Sequence, residues 1–178
     1  MIMPEKSYRI LLVDDDQQIL DAYLDVLSRA EDVGIRELRG LAEILFDGEE
    51  SADNKQYKPT TQLRIDAALQ GAEAVHLATK AIRDEDPYLV AIVDMRIPPG
   101  INGFETAQKL VELDPDIEIC FITAYSDTSL GEITESLGNG RFLLLRKPID
   151  RQELITMVSF LGAHGARCHE SHSATKAQ

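Results

Sequence analysis

The sequence is poor in cysteine and in basic residues relative to acidic ones. Its 178 residues include only two cysteines, Cys120 and Cys168, which offer no disulfide framework and favour a reducing compartment. The 18 lysines and arginines are outnumbered by 31 acidic residues, so the formal net charge is −13. A field of that sign repels phosphate backbones and anionic lipid surfaces. We therefore expect neither a nucleic acid nor a membrane among the direct partners.

Long apolar runs are also missing. The runs at 89–93 and 119–122 are of strand length, whereas a membrane span needs about 20 residues. The opening residues 1–9 carry no apolar signal core. We therefore expect a cytoplasmic protein, and the length fits one domain with an embellishment.

Short apolar runs alternate with amphipathic stretches along the chain. Short apolar runs typical of buried parallel strands lie at 9–13, 89–93, 117–122 and 142–145, and alternation of apolar and polar residues predicts a further strand at 63–69. Apolar residues at helical spacing predict helices around 19–27, 75–82, 104–111, 130–137 and 154–161. Each crossover between parallel strands places a helix on one face of the sheet. The pattern predicts an α/β fold, a three-layer (βα)5 doubly wound parallel sheet.

Two segments fall outside this alternation. Residues 31–61, between the first helix and the second strand, join an apolar stripe to a polar stretch, and we interpret them as an insertion. Residues 162–178 are polar and are predicted to be a flexible tail or linker. The predicted organisation is one domain over 8–161, with the insertion at 31–61, followed by the tail.

Side chains with reactive chemistry follow four of the five predicted strands. Asp14 and Asp15 follow the first strand and Asp94 the third. Thr123 ends the fourth strand, and Lys147 follows the fifth. In open α/β sheets, ligands bind outside the carboxyl ends of the strands, where the strand order reverses. In the flavodoxin-like order 2-1-3-4-5 this point lies between strands 1 and 3, so the five side chains are expected to converge there.

Three converging carboxylates repel one another unless a cation joins them. A hard divalent cation such as Mg²⁺ prefers oxygen ligands of this kind. A carboxylate beside such a metal can also act as a nucleophile and form an aspartyl phosphate. A lysine and a hydroxyl can then meet the phosphoryl oxygens. Asp94, Thr123 and Lys147 have those chemistries.

Four segments resemble the receiver domain of two-component response regulators: ILLVDDD, AIVDMRIPPGINGFE, FITAY and LLRKP. The resemblance implies that Asp94 is the phosphoacceptor and that Asp14 and Asp15 are the acidic pair that helps to bind Mg²⁺. It also implies that Thr123 is the hydroxyl residue that approaches the phosphoryl group and that Lys147 is the lysine that contacts it. The resemblance extends over 8–161 apart from the insertion.

The same resemblance implies further ligands and partners. The backbone carbonyl of Arg96 would be the third protein ligand of Mg²⁺. The phosphodonor would be a histidine kinase or a histidine phosphotransfer domain. A homodimer would form through the fourth predicted helix, the fifth strand and the fifth helix. The chain departs from the family in one loop, because Gly103 follows Asp94 at a spacing one residue longer than usual.

Other interpretations of the same residues remain open. A pseudo-receiver would use this fold as an interaction module without phosphorylation. A haloacid-dehalogenase-like phosphatase also uses an aspartate nucleophile with Mg²⁺, but it needs a second aspartate where this chain has Arg96. We therefore expect self-phosphorylation and slow dephosphorylation rather than enzymatic turnover.

Simpler structural roles also exist for several of these residues. Asp14, Asp15 and Asp16 could simply start and cap the first helix. Thr123 could satisfy a strand-end backbone group, and Lys147 could be a surface lysine. A histidine- and cysteine-rich group in the predicted tail could bind a transition metal, but a solvated tail is favoured because no predicted element fixes it. Its members are His164, Cys168, His169 and His172.

Overall fold

A computed structural model describes residues 7–30, 62–124 and 142–176. The strands are β1 (Ser7–Val13), β2 (Gln62–Ala68), β3 (Val90–Asp94), β4 (Glu118–Thr123) and β5 (Phe142–Arg146). The helices are α1 (Gln17–Ala30), α2 (Gly71–Arg83), α3 (Gly103–Leu113) and α4 (Arg151–Lys176). The predicted insertion at 31–61 and the predicted helix near 130–137 lie outside the described residues.

The five strands form one parallel sheet in the order β2-β1-β3-β4-β5, which confirms the predicted fold. The register pairs Val13 at the end of β1 with Val93 in β3. It also pairs Asp94 with Ile122 in β4. The carboxyl ends of the central strands therefore lie level, and the residues that follow them are neighbours.

The sheet is buried on both faces by two separate apolar clusters. One cluster joins strand residues such as Val93 and Phe121 to Ala78 of α2 and Leu110 of α3. The other, on the opposite face, joins residues such as Ile92 to Leu20 of α1 and Val158 of α4. Burial on both faces explains why the central strand β3 is a continuous apolar run up to Asp94, whereas the edge strand β2 also carries polar residues. Among the described residues, no helix is long and apolar enough to cross a membrane.

The last helix is much longer than predicted. It continues to Lys176, so the prediction of a flexible tail from residue 162 is wrong for 162–176. Two small residues allow its close approach to the sheet: a Cβ atom on Gly162 would lie 2.6 Å from the Tyr8 ring, and one on Gly165 would lie 2.9 Å from the Leu89 carbonyl oxygen. The polar composition of this segment indicates disorder, but the segment is helical and packs closely against β1 and the residue before β3.

An ion-pair network lies at the amino end of the sheet. Arg9 in β1 donates to the carboxylate of Asp66 at 2.9 Å and to that of Asp86 at 3.1 Å. Its guanidinium also stacks over the Tyr88 ring, 4.5 Å from the centroid. Arg64 in β2 donates to Asp86 at 2.8 Å. This hydrogen bond, assisted by the charge of Arg9, lowers the pKa of Asp86 despite the opposing effect of burial.

Candidate functional site

The carboxyl end of the sheet brings together the three aspartates singled out by the sequence. Asp14, Asp15 and Asp94 each offer one carboxylate oxygen, and these oxygens lie within 4.8 Å of one another. Asp14 is 3% exposed, the Asp94 side chain is 12% exposed, and Asp15 faces solvent. The cluster is therefore buried on the Asp14 side and open to solvent, and so to a ligand, on the Asp15 side.

The turn after β1 fixes the orientation of Asp14. Its Oδ1 accepts a hydrogen bond from the Asp16 backbone N–H at 3.0 Å. Asp16 in turn accepts the Gln18 N–H at 2.8 Å at the start of α1. Of the three consecutive aspartates considered for capping, Asp16 takes that role, and Oδ2 of Asp14 is left to face the site.

Lys147 joins two of the carboxylates. Its Nζ donates to Oδ2 of Asp14 at 2.6 Å and to Oδ2 of Asp94 at 3.2 Å. Its backbone N–H donates to the Thr123 carbonyl at 2.8 Å, which ties the end of β5 to the end of β4. The Lys147–Pro148 peptide is cis. With its side chain only 17% exposed, Lys147 is a site residue rather than an ordinary surface lysine.

The electrostatics of the cluster leave negative charge uncompensated, because one ammonium faces three carboxylates. Burial raises the pKa of Asp94; Lys147 opposes this rise and Asp14 adds to it. Burial would lower the pKa of Lys147, but the hydrogen bond to Asp14 and the charge of Asp94 raise it overall. The lysine therefore stays protonated. The remaining negative charge and the all-oxygen donor set fit a hard divalent cation.

Thr123 and Arg96 occupy positions beside this cluster. Thr123 is the last residue of β4, one position beyond the residue paired with Asp94. The Arg96 backbone N–H donates to the Asp94 carboxylate, which lowers the pKa of that group slightly against the effect of burial. The Arg96 backbone is therefore adjacent to the cluster, and the role of its carbonyl as a metal ligand stays a prediction.

Gly103 helps to form the site, although in the sequence it marks only the end of the loop after Asp94. A Cβ atom there would lie 1.9 Å from the Asp94 carbonyl oxygen and 2.8 Å from the Met95 Cα. Its N–H donates to the Met95 carbonyl at 3.1 Å. Asn102 caps α3 in a reciprocal pair with Glu105. The start of α3 is thus packed directly on the backbone of Asp94, and only glycine fits.

Tyr23 lies within the predicted helix around 19–27. In the structure it lines a small space beneath the carboxylates, together with Asp14, Asp94 and apolar strand residues. Burial raises the pKa of the Tyr23 hydroxyl; Lys147 opposes the rise, and the two aspartates add to it. Tyr23 is therefore a neutral wall of the site, and helical spacing alone gave no signal of this position.

Comparisons with known proteins find relatives among response regulators. The chain is 33% identical over 87 residues to sporulation initiation phosphotransferase F of Bacillus subtilis, which covers 49% of this chain and 64% of that protein. It is 27% identical over 74 residues to the response regulator receiver protein CpdR of Brucella abortus, covering 42% of this chain and 59% of the relative. The chain thus matches about three fifths of the length of these relatives.

The fold is also similar to those of solved receiver domain structures. The receiver domain protein (CheY-like) from Methanospirillum hungatei superposes with a TM-score of 0.60 at 19% identity, over 91% of this chain and 98% of that one. The family model described as the response regulator receiver domain matches residues 54–159. That range includes Asp94 and Lys147 but starts after the β1 aspartates. Because it takes in more than half of the sequence, the chain belongs to the response regulator receiver domain family.

Proposed function

We propose that the chain is a phosphorylation-dependent signalling switch in which Asp94 accepts a phosphoryl group. The observation that carries the proposal is the bridge from Lys147 Nζ to both Asp14 and Asp94 at the point where the strand order reverses. The donor would be a phosphohistidine of a histidine kinase or a histidine phosphotransfer domain. The family to which the chain belongs supports that partner class.

In the proposed step, a carboxylate oxygen of Asp94 attacks the phosphorus atom of the phosphohistidine. The new P–O bond forms as the P–N bond breaks, and the electron pair returns to the imidazole nitrogen, which takes up a proton. Lys147 already lies 3.2 Å from the nucleophile, so it can donate to a phosphoryl oxygen by giving up one carboxylate contact. The hydroxyl of Thr123 would donate to another phosphoryl oxygen.

The cation proposed for this site is Mg²⁺. Asp14, Asp15, Asp94 and the carbonyl of Arg96 would hold it. When bound, the ion supplies positive charge that offsets the repulsion between an incoming phosphoryl group and the carboxylates. The carboxylate excess in the cluster supports this assignment.

The arrangement supports a switch rather than a turnover enzyme. A phosphatase of the haloacid-dehalogenase type needs a second carboxylate two residues after its nucleophile, and Arg96 stands there. Loss of the phosphoryl group would then rest on slow attack by water at phosphorus. The alternative of a pseudo-receiver is disfavoured because the acidic cluster and its lysine are complete and assembled.

For the domain we propose 8–161 with the insertion at 31–61, now continued by the helical residues to 176. A homodimer would use the face that includes β5 and α4. Two apolar side chains on these elements support such a contact: Leu143 is 37% exposed and Phe160 is 48% exposed. Leu143→Lys should reduce any phosphorylation-dependent dimer measured by light scattering, while leaving labelling of the monomer unchanged.

The central test is phosphorylation by acetyl phosphate with Mg²⁺, followed by intact mass. The wild type should gain one phosphoryl group, and either Asp94→Asn or a chelator should abolish the gain. Asp84→Asn is the matched control, since Asp84 is an exposed carboxylate at the end of α2. Equal labelling of the wild type and Asp94→Asn would refute the proposal.

A further inference from the structure

Two buried polar atoms at the opposite end of the sheet lack a hydrogen-bond partner. Within the described residues, Asp114 Oδ2 and His169 Nε2 are both shielded from solvent and make no hydrogen bond. They face each other at 3.4 Å. Buried polar groups are costly to leave unpaired, so such a facing pair calls for an explanation. Asp114 directly follows α3, and His169 lies on the part of α4 that the sequence had indicated to be a tail.

The separation fits two ligands of one tetrahedral cation. With metal–nitrogen and metal–oxygen bonds of about 2.0–2.2 Å, tetrahedral geometry separates the two ligand atoms by about 3.3–3.5 Å. Asp116 brings a third ligand, since its carboxylate oxygen lies within 4.8 Å of the other two atoms. The Asp116 N–H binds Oδ1 of Asp114 at 3.0 Å, which holds the turn and leaves Oδ2 directed at His169.

We propose that Asp114, Asp116 and His169 form a binding site for one divalent transition metal ion, with Zn²⁺ as its best probe. An imidazole with two carboxylates suits Zn²⁺ and its neighbours in the first transition row, whereas Mg²⁺ and Ca²⁺ prefer oxygen ligands throughout. Three protein ligands leave a fourth position for water. The site is separate from the cluster of Asp14, Asp15 and Asp94 at the carboxyl end of the sheet, because Asp114 and Asp116 precede β4 at its amino end.

A bound metal would fasten the end of α4 to the turn between α3 and β4. These elements are distant in sequence, so the ion would join the last helix to the domain core. Because the ion would bind the folded chain, it would stabilise that state by mass action. The melting temperature should therefore rise with the concentration of free Zn²⁺.

A neighbouring group of ligand-type residues is the main competitor. His164 Nδ1 lies 2.8 Å from Glu118 Oε1 and 3.9 Å from Cys168 Sγ. Here the histidine nitrogen already has a hydrogen-bond partner, and its side chain is 52% exposed. No unpaired buried atom therefore points to a ligand. The thiol gives the two groups different spectroscopic signatures, because only a thiolate ligand adds sulfur-to-metal charge transfer.

The experiment uses the full chain under reducing conditions, with millimolar Mg²⁺ added to saturate the Mg²⁺ site proposed at Asp14, Asp15 and Asp94. Zn²⁺ is titrated by calorimetry, and Co²⁺ is used as an absorbing probe. The wild type should bind one Zn²⁺ ion. His169→Asn should weaken Zn²⁺ binding at least about 100-fold, because losing a residue that only supports a metal ligand already costs up to about that factor in affinity. His76→Asn is the matched control, since His76 is exposed on α2.

Circular dichroism checks that each variant is folded, and Asp114→Asn provides a second variant that keeps the oxygen facing the Asp116 N–H. It too should weaken Zn²⁺ binding. The proposal is overturned if the wild type binds no Zn²⁺, or if folded His169→Asn binds it as tightly as the wild type. It is also overturned if Co²⁺ shows a thiolate charge-transfer band that Cys168→Ser removes.

Discussion

Removing the charge of Asp94 should stabilise the metal-free protein, whereas removing the charge of Lys147 should destabilise it. Asp94 is attracted by one cation but repelled by two carboxylates, and it is largely buried. In Lys147→Met, the buried Asp14 would lose the ammonium that lies 2.6 Å from it. The two substitutions therefore remove opposite charges from the same cluster and should shift stability in opposite directions.

The distances give the sign of the Asp94 effect. At an effective dielectric constant of about 20, Lys147 at 3.2 Å attracts the carboxylate by about 5 kcal/mol. Asp14, within 4.8 Å, repels it by about 3.5 kcal/mol, and the exposed Asp15 adds a smaller, screened repulsion. Burial adds to these repulsions, and the raised pKa of Asp94 indicates that together they exceed the attraction.

Asp94→Asn should thus raise the free energy of unfolding, and each gain of about 1 kcal/mol should raise the melting temperature by about 2–4 °C. Lys147→Met should lower the free energy of unfolding by about 3 kcal/mol, the range for an uncompensated buried charge. Asp14→Asn should stabilise less than Asp94→Asn, because Asp14 makes the shorter contact to the lysine.

Thermal and urea unfolding in a chelating buffer measure both effects. Adding Mg²⁺ should then raise the melting temperature of the wild type more than that of Asp94→Asn. Asp84→Asn again serves as the control for removing one acidic charge from a chain of net charge −13. Either of two results would contradict this calculation. One is a melting temperature of metal-free Asp94→Asn below that of the wild type, and the other is a melting temperature of Lys147→Met equal to that of the wild type.

Three further predictions concern the surroundings of the site. Gly103→Ala should abolish acetyl-phosphate labelling of Asp94 because its Cβ would lie 1.9 Å from that residue's carbonyl oxygen; Gly100→Ala, at φ +109° with open space around it, should cost about 1 kcal/mol and keep labelling. Asp86→Asn should lower stability at neutral pH. Because the folded-state pKa of Asp86 is lowered, its contribution to stability is present above the ordinary pKa of 3.8 and is lost as the pH falls through the folded-state pKa. The melting temperatures of the wild type and Asp86→Asn should therefore converge in acid. Replacing 47–58 by a short Gly-Ser linker should leave labelling nearly unchanged, since α1 ends and β2 begins at the amino edge of the sheet; a large loss in a folded variant would contradict this.

The sequence by itself determined the sheet and which side chains meet at its carboxyl end. Parallel strands that are covered on both faces must be apolar throughout, so runs such as 89–93 stand out from the amphipathic helices between them. The polar residues that end these runs must meet, because parallel strands share one carboxyl edge. Asp94 and Lys147 could therefore be assigned to one site although 52 residues separate them in the sequence.

Only the tertiary structure decided which groups touch. No pattern in the sequence indicates that Lys147 binds Asp14 more closely than Asp94, or that Gly103 lies on the backbone of Asp94. The composition of the sequence also predicts a flexible tail at 162–178, but the structure has a helix to residue 176, with Gly162 packed closely on β1. Composition and periodicity describe each segment alone, whereas these contacts depend on how closely segments distant in sequence approach, and that distance is set by packing.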